Sequence, residues 1–196
     1  MKSLISQDAL DQLFYQAHSF NQFTDQPVSD EQIVQLYELL KWGPTSMNTQ
    51  PARYLFIQST EAKERLLPAM LASNVEKTRH APLTVIVASD SEFYEHLPTQ
   101  FKAYDAAPMF RENKELAKAT AFRNGSLQGA YLMIAARALG LDCGAMSGFD
   151  PEKVNATFFP EGRWKVNFIV NLGYGVDGGH HPRGERLAFD QVARVL

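Results

Sequence analysis

The residues with most chemistry to offer lie together at 41–51, Lys-Trp-Gly-Pro-Thr-Ser-Met-Asn-Thr-Gln-Pro. A plain turn needs Gly43 and Pro44 and little else. The excess is two kinds of hydrogen-bonding group: the hydroxyls of Thr45 and Ser46 and the carboxamides of Asn48 and Gln50. None is a nucleophile or base at neutral pH without a partner. Together on a proline-stiffened loop they suit the edge of a flat polar ligand. Taken alone, they also suit ordinary loop and cap hydrogen bonding.

Other catalytic devices are missing. The chain has no Gly-x-x-x-x-Gly-Lys-Ser/Thr phosphate loop, no Gly-x-Gly-x-x-Gly after a strand and no Gly-x-Ser-x-Gly elbow. Of the five histidines only His180 and His181 are close in sequence, and no Cys or carboxylate stands beside them at metal-ligand spacing. Cys143, in Leu-Asp-Cys-Gly-Ala, reads as a small buried thiol. An enzyme built this way takes its chemistry from an organic cofactor.

The elements that must position the loop follow from periodicity. Leu10, Leu13, Phe14 and Ala17 predict a one-faced helix over 8–18, followed by the polar break His18-Ser19-Phe20-Asn21. Ser29 and Gln32 have the form of a capping box for a helix ended by Gly43-Pro44. Strands are expected at 53–58, 83–88, 141–145 and 166–172. Thr60 is the expected cap of a helix that Pro68 kinks or breaks, and Asp150-Pro151 opens another. The alanine-rich stretch 119–139 predicts a buried helix with Leu127, Ala130, Tyr131, Ile134 and Ala138 as its stripe and Gly140 as its C-cap. The aromatic-rich segment 91–118 fits either a lid or a helical excursion packed on the core. The pattern is α+β, one domain over 1–196, with helices covering a small mixed sheet.

The totals set outer limits. The chain has 196 residues, 45% apolar, with a net charge of −3. Its charges are interspersed, which argues against a nucleic-acid footprint. One cysteine allows no internal disulfide. No run approaches a membrane span, residues 1–10 carry no apolar core of signal-peptide length, and a cytoplasmic location is expected.

Four ordered stretches then resemble the FMN-dependent nitroreductase family over nearly the whole chain. They are His18–Asn21 with Phe23 and Pro27-Val28, Gly43–Pro51, Met146–Asp150, and Gly173-Tyr174-Gly175 followed by the arginines of the tail. The branch that includes malonic semialdehyde reductase looks nearest. The resemblance implies a homodimer of nitroreductase-like sandwiches with FMN at the interface, NADH or NADPH as co-substrate and a small-molecule electron acceptor. It implies that His18, Ser19 and Asn21 meet the phosphate and ribityl chain, although Ala17 and Asn21 stand where relatives commonly carry cations. Arg183 and Arg186 become the main phosphate anchors. Pro44, Thr45, Ser46 and Asn48 would run along the ring and ribityl chain. Asn74 would bond the pyrimidine edge, and Ser147-Gly148 would lie beside the reactive nitrogen. No protein residue is implied as catalytic.

The expected activity is ping-pong reduction of a small electrophile, with malonic semialdehyde to 3-hydroxypropanoate as one instance. That acid would need a cation; Arg53, Arg111 and Arg123 are the candidates. A flavin-binding sensor or carrier without turnover, and a dimeric interaction module with a vestigial pocket, are the alternatives.

Overall fold

A computed structural model describes residues 3–196; Met1 and Lys2 lie outside it. Four strands form its frame: β1 (Ala52–Ile57), β2 (Leu83–Asp90), β3 (Asp142–Met146) and β4 (Trp164–Gly173). They lie in the order β1-β2-β4-β3, and every neighbouring pair is antiparallel. The sheet expected to be mixed is thus antiparallel. Among the described residues its one parallel feature is an isolated bridge between Ser19 and Cys143.

Helices cover both faces. α2 (Asp30–Leu40) starts at the capping box, Ser29 accepting from the Gln32 amide and Gln32 reaching back to the Ser29 amide. α3 (Thr60–Leu66) is capped by Ser59 rather than Thr60, because the Ser59 hydroxyl accepts from the Ala62 amide while Thr60 is already helical. Pro68 sits in a 3₁₀ turn and breaks the helix there. α8 (Pro151–Phe158) follows the Asp150 cap as expected. The N-terminal helix is shorter than periodicity predicts. α1 (Gln7–Leu10) passes into a π-turn at Asp11–Tyr15, and none of these residues is buried within one chain.

The long helix α7 (Lys114–Ala138) is capped by Asn113 and stops at Gly140, whose φ of 77° suits glycine. Its buried stripe is Ala117, Ala121, Asn124, Gln128, Leu132 and Ala135, a different face from the one expected. Glycines allow this. A Cβ on Gly129 would come within 2.2 Å of the Phe168 ring, and one on Gly125 within 2.6 Å of the Ser89 hydroxyl. Leu127 and Tyr131, on the expected stripe, are exposed. Residues 91–113 form an excursion of short helices, α5 (Leu97–Gln100) and α6 (Ala107–Glu112). Phe93, Tyr94, Leu97 and Phe110 pack with Ala117 and Ala121 into a separate apolar cluster. The packed-excursion reading therefore describes most of it, and only Tyr104 among its aromatics is exposed.

Among the described residues no helix is long and apolar enough to cross a membrane. Nor do any three His, Cys, Asp or Glu side chains there form a group able to hold a metal.

Candidate functional site

The polar break at 18–23 is laced into the sheet end. The Phe20 amide donates to Cys143 O (2.9 Å) and the Asn21 amide to Gly179 O (2.7 Å). The fit demands glycine at two sheet positions. A Cβ on Gly144 would sit 2.4 Å from Phe20 O, and one on Gly175 2.2 Å from the Phe20 ring. The segment is thereby held against the loop that carries His180 and Arg183. His18 stacks on His180 with ring centroids 3.7 Å apart and planes 19° apart. Arg183 donates to the carbonyls of Tyr15 (2.8 Å) and Ala17 (2.7 Å), and its Nη2 lies 3.4 Å from His18 Nε2. Ser19 is exposed at the bridge to Cys143. Arg186 stays apart from this group, bonding Gly184 O and Glu185 O near its own backbone.

Helix α4 (Ala72–His80) forms the opposite wall. It is fixed from below by a buried polar chain: Thr84 donates to Asn171 Oδ1, and Asn171 donates to Lys77 O and Thr78 Oγ1. Lys63, itself buried, bonds the Ala81 carbonyl just past the helix end. The exit face of α4 carries Asn74 and, one turn on, Lys77. Asn74 is buried and donates through Nδ2 to Gly148 O at 2.8 Å; the Leu71 amide reaches the same carbonyl at 3.0 Å. That leaves Asn74 Oδ1 to accept from a ligand N–H. Ser147 is exposed at this turn. Lys77 donates to Asn21 Oδ1 (3.3 Å), and burial lowers its ammonium pKa. Lys77 is the functional candidate that the sequence did not single out. Its one signal was helical spacing, i to i+3 from Asn74.

Asn21, Lys77, Gly179, His180 and His181 are among the residues that line a cleft of about 920 Å³. Partial desolvation, then His180 and Arg183, hold His18 below the ordinary imidazole pKa, with Asp142 opposing them.

The hydroxyl and carboxamide loop at 41–51 lies elsewhere. Ser46–Asn48 form a 3₁₀ turn, and Met47, Asn48 and Gln50 all have positive φ (51°, 51° and 41°). Non-glycine residues there cost about 1–3 kcal/mol each and need a surrounding brace. The brace is visible: the Ser46 amide donates to buried Asn124 (2.8 Å), Asn48 to Gln100 O (3.0 Å), and Gln50 to both Asn48 and Gln100 side chains. Thr45 accepts from the Gln50 amide at 3.2 Å. Pro44, Thr45 and Asn48 line a shallow cleft of about 350 Å³ that has no lining residue in common with the larger one. One chain therefore pairs His18 with Arg183, Asn21 with Lys77 and Asn74 with Gly148, with Ser19 and Ser147 adjacent in sequence, and holds Pro44, Thr45 and Asn48, with Ser46 between them, at a cleft lined by none of these. That second surface mixes Lys41, Thr45, Asn48 and Gln50 with the exposed rings of Tyr37 and Trp42, and Tyr131 packs against Gly43.

The three candidate substrate cations differ. Arg53 spends its donors on Gln50 O, Ala52 O and buried Asp90. Arg111 lies 5.7 Å over the Tyr94 ring, and Arg123 is exposed on α7.

Comparison with known proteins is consistent across sequence and fold. The family model described as Nitroreductase family matches residues 15–174. A protein of Ralstonia nicotianae, provisionally named NADH dehydrogenase/NAD(P)H nitroreductase, is 56% identical over 187 residues, covering 95% of this chain and 96% of its own. A Polynucleobacter asymbioticus protein of the same provisional name is 52% identical over all of both chains. In fold, a provisionally assigned nitroreductase of Exiguobacterium sibiricum, solved in complex with FMN, superposes with a TM-score of 0.84 at 20% identity over all of both chains. One of Bacillus subtilis gives 0.84 at 21% identity, covering 97% of this chain and 100% of its own. With the family model matching most of its length and relatives above half identity, this chain belongs to the nitroreductase family.

Proposed function

We propose that the protein is an FMN-dependent NAD(P)H oxidoreductase that reduces a small electrophile by ping-pong hydride transfer, working as a homodimer with FMN at the interface. The observation that carries this reading is the Asn21–Lys77 pair on the wall of the 920 Å³ cleft, with the buried Asn74–Gly148 hydrogen bond one helical turn before Lys77 on α4. Together they offer an ammonium, a carboxamide acceptor and a close-approach glycine. That set suits the pyrimidine edge of a flavin at one end and an anionic head near His180 and Arg183 at the other.

FMN, when bound, supplies the hydride relay between NAD(P)H and the acceptor. The chain's own residues bind and orient. Asn74 Oδ1 accepts from the ring edge, the Lys77 ammonium offsets negative charge at that edge, and Arg183 attracts the phosphate. The braced loop Pro44–Asn48 belongs to the same site in the two-chain assembly, closing over the cleft of its partner. Support for the dimer comes from the separation of the two residue groups on one chain, and from exposed Trp42 (78%), Phe122 (63%) and Leu127 (46%).

The acceptor is a nitro compound, quinone, enone or short semialdehyde. Malonic semialdehyde would need a cation free to meet its carboxylate, and Arg53 is already neutralised by Asp90. Arg111 and Arg123 are the remaining candidate cations for that acid.

The test is to purify the protein, determine its mass in solution, record its visible spectrum and titrate it anaerobically with NADH and NADPH. A yellow dimer bleached by either nicotinamide is expected. FMN-loaded protein reduced by neither would overturn the enzyme reading in favour of a flavin carrier; protein that stays colourless with added FMN would point to a vestigial pocket.

A further inference from the structure

Histidines are concentrated at the anionic end of the large cleft. His80, His180 and His181 line it, and a fourth, His18, stacks on His180. Their hydrogen bonds fix the tautomers. His180 Nδ1 lies 2.9 Å from the His181 carbonyl, which only accepts, so Nδ1 carries the proton and Nε2 is the basic nitrogen. His18 Nε2 faces Arg183 Nη2, which only donates, so that nitrogen keeps its lone pair. Two stacked imidazoles 3.7 Å apart with a guanidinium at the edge resist a second positive charge.

We propose that His180 is an anion-binding residue of this cleft, its Nε2 taking up one proton from solvent as a phosphate monoester dianion binds, while His18 remains the neutral stacking support. The proposal rests on the FMN reading above and adds a chain-specific means of holding the phosphate where Asn21 supplies no charge.

The surroundings make the uptake feasible. From the tail side, Arg183 opposes protonation of the pair. From β3, Asp142 favours it, although its carboxylate also accepts from the Gly175 amide at 2.9 Å. Across the cleft, α4 presents Lys77 against uptake and Glu76 for it, and the 21–25 segment adds Asp25. His181 and His80 are the other titratable groups on the wall. The edge of the Phe20 ring, 5.0 Å from His180 at 77°, is neutral and fixes the ring. A bound dianion within reach of Nε2 adds a negative charge that favours the imidazolium.

The sign follows from linkage. A proton gained on binding means affinity falls as pH rises, by up to about tenfold per pH unit between the free and bound pKa values. The phosphate's second ionisation, near pH ~6, works the other way, so the informative range is about 6.5–8.5.

FMN and riboflavin, which lacks the phosphate, are titrated against the apoprotein by flavin fluorescence across that range. Calorimetry in two buffers of different ionisation heat counts protons. The expected results are an FMN Kd that rises severalfold with pH, a flat riboflavin Kd, and uptake of up to about one proton per FMN. His180→Phe keeps a stacking ring without a titratable nitrogen; it should weaken FMN at pH 6.5 and abolish the slope. No proton uptake with tight FMN binding, an equal slope for riboflavin, or an unchanged slope in His180→Phe overturns the proposal while leaving the flavin reading intact. Failure of both flavins to bind at any pH overturns the flavin reading and the proposed role of His180 together.

Discussion

Replacing Gly148 by alanine tests whether the Asn74 carboxamide is set by the turn it touches. A Cβ at Gly148 would lie 2.6 Å from Asn74 Nδ2 and 3.1 Å from Leu71 Cδ1. The first contact is too short to keep, and the carboxamide is the softer partner. Moving it back to van der Waals distance stretches the 2.8 Å bond to Gly148 O beyond hydrogen-bond length. Asn74 is only 6% exposed, so the freed N–H finds little water. Losing such a bond and orphaning its donor costs about 1–3 kcal/mol. For a chain of this size that is a fall in melting temperature of roughly 2–12 °C at fixed protein concentration. FMN affinity should fall by about tenfold, since Oδ1 turns with the amide. Thermal melts and fluorescence titration measure the two effects. The cycle with Asn74→Ala gives the sharper check: with the carboxamide gone the Cβ has room, so Gly148→Ala should add little in that background. Additive losses, or a Gly148→Ala protein that melts and binds FMN like the parent, would refute the reasoning.

Other consequences are open to direct measurement. Lys77→Met removes a charge-assisted contact at the cleft wall and should weaken FMN by about 10–100-fold with a small change in melting temperature, read by fluorescence titration. Burial would raise the Asp90 carboxyl pKa, but the Arg163 hydrogen bond, the Glu92 amide and the charges of Arg53 and Arg163 outweigh it and leave the pKa lowered. A lowered carboxyl pKa stabilises the fold fully above the unfolded value near pH ~4, and the gain is lost as pH falls through the folded value. Asp90→Asn should therefore cost about 3 kcal/mol in urea unfolding at pH 7, the low end for a broken buried pair because both arginines keep some water, and the gap should close in acid. The Cys143 thiol, with its pKa pushed by burial up to about 12, should resist iodoacetamide at pH 8 in the folded protein and react once unfolded; rapid alkylation of native protein would contradict the packing.

Local chemistry is legible in residue type alone. The capping box at Ser29–Gln32, the Asp150-Pro151 start and the left-handed stop at Gly140 each depend on groups within three or four residues, so nothing distant has to be known. The β-branched run from Leu83 likewise declares a buried strand whatever it pairs with. The four ordered motifs point to the family, which the family match bears out. Where expectation and structure part, distant segments of the chain decided the outcome. α7 has small and apolar residues on more than one side, and hydropathy does not choose among them. Gly125 and Gly129 do, because only that side lets the helix approach Ser89 and Phe168.

The candidate site divides the same way. The sequence and its family resemblance pointed to candidate residues: the carboxamides, the hydroxyl loop, Gly148 and Arg183. Tertiary structure brought Lys77 to Asn21, 56 residues away, and His18 to His180 across most of the chain, and left Arg186 outside. It also set the hydroxyl loop on a different surface from Asn74. Sheet register and the glycine contacts at 144 and 175 produce those meetings. A hydrogen bond between residues far apart in sequence leaves no periodic trace, because neither partner's local backbone depends on the other.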